Sequence, residues 1–165
     1  MRTKYYDRAS AVSYAHKWAF SRNPQYYDFK YLGGDCTNFA SQVLYAGSGI
    51  MNYSPTFGWY YNNLNNRAPA WTGVEFLHRF LVNNQGIGPT AVEVDVSQVE
   101  PGDIVQLSFD GLVFSHSLII VSVGESPSPS NILIATHTYD ADNRLLNSFS
   151  YVYIRFLHIT HVGVW

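Results

Sequence analysis

The order of two hydrophobic periodicities constrains this chain before anything else does. Spacings of three and four residues dominate its first half, and strand-like apolar runs its second. Ala11, Tyr14, Ala15, Trp18 and Ala19 share one face of a helix predicted over 7–20. Asn23-Pro24 is expected to end it, because the residue before proline is pushed out of the helical region. Phe39, Ala40, Val43 and Leu44 mark a second helix, stopped by Gly47 and Gly49. Val74, Leu77, His78 and Leu81 mark a third, over 71–82, which Asn83-Asn84-Gln85-Gly86 closes. Strand patterns follow at 92–94, 103–107, 116–123, 132–137 and 152–156, with a turn carrying two prolines over 124–131. Between the second and third helices, 50–70 reads as an irregular excursion. Helices first, then strands with short connections, predict an α+β domain: N-terminal helices packed on a mainly antiparallel β-sheet.

At 165 residues the chain is one domain's worth, expected to be single over 1–165. With 47% hydrophobic and 13% charged residues it has a globular composition. A net charge of -2 offers no basic footprint for nucleic acid, which is not expected as a partner. No run approaches the length of a membrane span. Met1 to Asp7 lacks the apolar stretch of a signal peptide. That predicts either a cytoplasmic protein or a domain of a longer exported one, extracellular or in the cell wall. No oligomeric state can be read.

One cysteine excludes internal disulfides and multi-cysteine metal sites, and makes Cys36 the residue to explain. Gly33-Gly34-Asp35 precedes it and a helix follows. A helix N-terminus stabilises an anion, and a nearby imidazolium would add to that, holding the thiol as thiolate. The bland alternative is a small buried hydrophobe. Asp35 itself is expected to cap the helix or fix the Gly-Gly loop.

Of six histidines, His116 is best placed as a base, because it starts an apolar strand after a polar loop. His137 ends the next strand, which should lie antiparallel beside it, and can orient the His116 ring. Asp140 or Asp142 could do so instead. His116, His137 and Asp140 could also form a three-ligand zinc site, but no short-spaced ligand pair supports it. Neither metal nor cofactor is therefore expected. The 13 Tyr and 4 Trp include Trp59, Tyr60 and Trp71, a candidate cleft wall or simply core.

Asp35-Cys36-Thr37-Asn38-Phe39 resembles the nucleophile segment of NlpC-type cell-wall peptidases, which with CHAP domains belong to the papain-like cysteine peptidases. Pro101-Gly102-Asp103-Ile104 and His116-Ser117-Leu118-Ile119 resemble that family's strand entry and His-led strand. Ala135-Thr136-His137 falls at its third polar residue. A closer resemblance, over nearly the whole chain, is to a bacterial amidase domain family of the same superfamily. It rests on Tyr6-Asp7-Arg8, Trp18-Ala19, Arg22-Asn23-Pro24, Gly34 to Gln42, Gly58-Trp59-Tyr60, Trp71-Thr72-Gly73, His116-Ser117 and Ala135 to Thr138. Thr37-Asn38 stands where NlpC-type enzymes have Ser-Gly.

The resemblance implies a papain-like fold and a cysteine amidase or peptidase. Cys36 would be the nucleophile, His116 the base and His137 the orienting residue. The Cys36 N–H, and by analogy Tyr31, would be oxyanion donors. It implies a peptide or peptidoglycan substrate. An intracellular protease, deamidase or acyl transferase, and an inactive binding module of the same fold, are the alternatives.

Overall fold

The computed structural model describes residues 1–165. Four α-helices are present: α1 (Arg8–Trp18), α2 (Cys36–Ser48), α3 (Pro69–Thr72) and α4 (Val74–Asn83). Nine strands accompany them: β1 (Arg2–Lys4), β2 (Tyr61–Asn63), β3 (Asn66–Arg67), β4 (Gly88–Val94), β5 (Ile104–Ser108), β6 (His116–Ser122), β7 (Leu133–Thr136), β8 (Ala141–Leu145) and β9 (Tyr153–Val164). β2 and β3 form a separate hairpin, and the other seven strands form one sheet. β9, β5, β6, β7 and β8 lie side by side, and β1 and β4 also pair with β9. Every strand pair is antiparallel. The α+β architecture with a largely antiparallel sheet thus follows from the periodicity.

Two apolar clusters sit on the two faces of the sheet. The larger joins Ala11, Ala15, Phe39, Val43, Trp71 and Leu81 of the helices to Ile104, Ile119, Val121 and Ala135 of the strands. The smaller holds Val105, Leu107, Leu118, Ile120, Ile134 and Phe156 on the opposite face, closed by Leu146 and flanked by Phe149 rather than by a helix. Strand alternation sends neighbours to opposite faces, so the β6 run Leu118-Ile119-Ile120-Val121 feeds both clusters.

Several boundaries differ from the periodicity. α1 ends at Trp18, ahead of Asn23-Pro24, and the Trp18 carbonyl accepts a hydrogen bond from the His137 ring instead. The third helix is broken at Gly73, whose extended backbone caps α3 and starts α4. β9 runs eight residues beyond Phe156, with Leu157, Ile159 and Val162 buried. Its His158 bonds Asp103, a buried carboxylate that also accepts from Arg8 and from the N–H groups of Glu100 and Ile159. β1 and β8 have too few apolar residues to register as strands. α2 lies close to the chain before α1: a Cβ at Gly47 would run into the Tyr6 ring.

Trp59 and Trp71 are core, not cleft. Both are fully buried, with ring centroids 4.8 Å apart. Trp59 Nε1 donates to Ser41 Oγ and Trp71 Nε1 to Asn38 Oδ1, each at 3.0 Å, which satisfies the only polar group either ring carries. Tyr60 stacks on Tyr53 at 5.3 Å. The cleft-wall expectation gives way to packing for Trp59 and Trp71, because large aromatics yield most when they leave water entirely, while Tyr60 stays half-buried.

Candidate active site around Cys36

Cys36 is the first residue of α2. Gly33 and Gly34 precede it at φ 88° and 97°, a backbone region that glycine enters without strain. The opening N–H groups of α2 have no partner within the helix and face the thiol's surroundings. Thr37 Oγ1 bonds Ser117 Oγ at 3.0 Å, tying the first turn to β6. Cys36 Sγ lies 3.7 Å from Thr37 Oγ1, with the N–H groups of Ser117 and Thr37 placed to favour its anion.

The thiol is only 7% exposed. Burial pushes it above the ordinary cysteine range, and the Ser117 and Thr37 hydrogen bonds offset this only partly. The thiolate expected from the helix start is therefore not the resting form. A buried anion needs a cation beside it, and none touches this sulfur.

Asp35 holds the loop rather than capping α2. It stands at the N-cap, but its carboxylate makes no cap hydrogen bond. Oδ1 accepts from Phe29 N at 2.8 Å and Asn38 Nδ2 at 2.9 Å. Oδ2 meets His137 Nδ1 at 2.5 Å. The other nitrogen of that ring, Nε2, donates to the Trp18 carbonyl at 2.8 Å, and the ring lies on Phe39 with centroids 4.0 Å apart. An acceptor faces each ring nitrogen, so both are engaged, one by a buried carboxylate and one by a backbone carbonyl.

His137 therefore does not orient His116, since both its nitrogens are committed to Asp35 and Trp18. Asp140 pairs with Arg22 and Asp142 with His16, so neither acid does so instead. No three His, Cys, Asp or Glu side chains are grouped to hold a metal, and of the candidate zinc ligands His116, His137 and Asp140 the last two are engaged by Asp35 and Arg22. Tyr31 is 91% exposed, because its short turn, Phe29–Tyr31, buries Phe29 and faces Tyr31 to solvent. An oxyanion role for Tyr31 has no geometric basis here. Asn38 links Asp35, the Tyr27 carbonyl and Trp71. It is a packing residue.

His116 heads β6 one residue before the thiol-binding N–H of Ser117. β5 pairs Leu107 with His116 and Gln106 with Ser117. Gln106 and Ser117 face the helices, where Gln106 Nε2 donates to Val74 O and to Ser117 Oγ. His116 consequently takes the face of Leu107 and Leu118. Its ring sits 6.0 Å from Phe109 and 6.1 Å from Phe149, by a cavity of about 520 Å³. No hydrogen bond joins it to Cys36 or to any other protein group. Burial, reinforced by the Arg144 charge, lowers His116 to about 4.

This shift makes stability depend on pH with a definite sign. The unfolded ring takes up a proton near pH 6.5, the folded ring only near 4. The folded state is fully favoured above 6.5 and loses ground as pH falls toward 4, by about 3 kcal/mol in all. Urea denaturation of wild type between pH 7 and 4 should show this fall, and His116→Gln should flatten it. Equal slopes for the two would refute a buried neutral His116.

A family model described as "Putative amidase domain" matches residues 5–160. Among curated proteins, "Uncharacterized protein YhbB" of Bacillus subtilis (strain 168) is 34% identical over 143 residues, 84% of this chain. The chain spans 43% of that relative's length. No solved structure gives a significant match.

Proposed function

We propose that this chain, which belongs to the amidase domain family matched over residues 5–160, hydrolyses amide bonds with Cys36 as nucleophile and His116 as proton acceptor. The family carries amide hydrolysis in general, and the thiol mechanism is our reading of the site. The observation that supports it is the placement of Cys36 Sγ at the start of α2, against the N–H groups of Ser117 and Thr37.

At neutral pH both partners rest uncharged, thiol and imidazole. Deprotonation must accompany attack rather than precede it. The reaction requires the His116 ring, which rests against the cavity without a hydrogen bond, to turn toward the thiol. The Cys36 proton passes to His116 as the sulfur bonds the carbonyl carbon, and the free N–H groups of the first α2 turn receive the oxyanion. His116 then protonates the departing amine, and water releases the acyl group. The substrate class we favour is the peptide of bacterial peptidoglycan, on the NlpC-like segments around Cys36, Asp103 and His116. A module that binds without turnover is the rival, favoured by the missing Cys36–His116 hydrogen bond.

Purified muropeptides incubated with the protein and quenched in acid decide between them by mass spectrometry. The expected outcome is cleaved amide product together with an acyl adduct on the peptide carrying Cys36. Intact muropeptides with no adduct would leave the binding module.

A further inference from the structure

The cavity beside His116 carries a charge that the fold leaves unused. Arg8, Arg22 and Arg155 each pair with a carboxylate. Arg144 pairs with none. Its Nε donates to Ser148 Oγ at 2.8 Å and its guanidinium lies 4.0 Å over the Phe149 ring. These two contacts fix the plane of the fork and leave its terminal nitrogens without a protein acceptor, at the cavity wall. A planar guanidinium held this way suits a carboxylate, which it can grip with two parallel hydrogen bonds.

His116 supplies a second, independent sign of a ligand. It is 5% exposed, has no hydrogen-bond partner and lines the same cavity. The acids nearby are already engaged: Asp110 with the N–H groups of Leu112 and Val113, Asp140 with Arg22, Asp142 with His16. The cavity is also tied to the chain beside the nucleophile. Its wall residue Thr138 accepts a hydrogen bond from the N–H of Asp35, next to Cys36, at 3.4 Å. Thr138 and Tyr139 hold the left-handed backbone at φ 63° and 58°, in a turn that Thr136 and Ala141 close.

We propose that Arg144 is a specificity residue that receives a carboxylate of the amide substrate, in the cavity it shares with His116. The inference rests on the hydrolase reading above and adds the chemistry of the substrate. Seating a carboxylate there also neutralises the charge that opposes protonation of His116. The base thereby gains strength when an acidic substrate is bound.

The test uses the peptide Ala-Glu-Ala-Ala in four forms, with the glutamyl side chain and the C-terminus each free or amidated. Binding is measured by calorimetry to the non-hydrolysing Cys36→Ala chain, and cleavage by wild type. One free carboxylate should improve binding about 10- to 100-fold over its amide, the range of charge-assisted hydrogen bonds. Whether that carboxylate is the side chain or the terminus names its source. Arg144→Gln in the Cys36→Ala background should abolish the preference, and Arg144→Lys should restore part of it. Equal binding of all four forms, or of none, overturns the proposal. Arg144-dependent binding without cleavage in wild type would keep the subsite and remove the hydrolase reading alone.

Discussion

Replacing Cys36 by Ala should lower amide hydrolysis by about 10³-fold or more while leaving the protein folded. The loss is large because the sulfur is the only protein atom that bonds to the carbonyl carbon in the proposed reaction. The fold should tolerate the change because one sulfur atom is removed from a site whose structural bonds belong to neighbours. Thr37 holds Ser117, Asn38 holds Trp71, and Asp35 holds Phe29 and His137. Thermal melts should therefore move by only a few degrees as turnover disappears. A companion measurement follows from the buried, neutral thiol. Iodoacetamide should label Cys36 more slowly than free cysteine at pH 7, and faster only as pH rises past the thiol's elevated range. Hydrolysis undiminished in Cys36→Ala would end the nucleophile assignment, and rapid labelling at pH 7 would contradict the neutral resting site.

Replacing Asp35 by Ala should cost about 3–5 kcal/mol, because it leaves three buried donors, the His137 ring, Phe29 N and Asn38 Nδ2, without an acceptor. Asp35 and His137 are each 1% exposed, so water cannot take the place of the lost partner. The same substitution strips an acceptor from Phe29 N and Asn38 Nδ2, releasing the loop that leads into Cys36. At about 2–4 °C per kcal/mol for a chain of this size, the melting temperature should fall by roughly 6–20 °C. A double-mutant cycle with His137→Ala isolates the pair, since the combined variant should cost less than the two single losses added. Strict additivity would show that Asp35 and His137 stabilise the fold separately. Activity should fall along with stability in these variants, and recover in proportion to the folded fraction, because neither residue meets His116.

The place of each residue along the chain was open to sequence reasoning where the deciding forces are short-range. Helical spacing located α1, α2 and the α3–α4 region, since a buried stripe of Ala, Val and Leu must recur every three or four residues. Gly33-Gly34 ahead of Cys36 marked a turn that only glycine enters easily, and so placed the thiol at a helix start. The β6 run from Leu118 to Val121 marked a strand buried on both faces. Its lack of alternation, however, erased the signal of which face each residue takes. A shift of one residue exchanges the faces of every side chain. That parity decides that Ser117 meets Thr37 and that His116 meets Phe109, Phe149 and the Arg144 cavity.

The pairing of Asp35 with His137 was equally hidden. The two are 102 residues apart and meet only because β7 ends beside the start of α2. Its position at the end of the strand after His116 suggested His137 as a third catalytic member. The structure instead gives that ring two acceptors, and the hydrogen bonds it can make are then exhausted. By itself the sequence determined the architecture and a cysteine at the head of a helix. The tertiary structure alone decided which charges surround that cysteine, because burial and partnership depend on distance in space and on the face of the sheet.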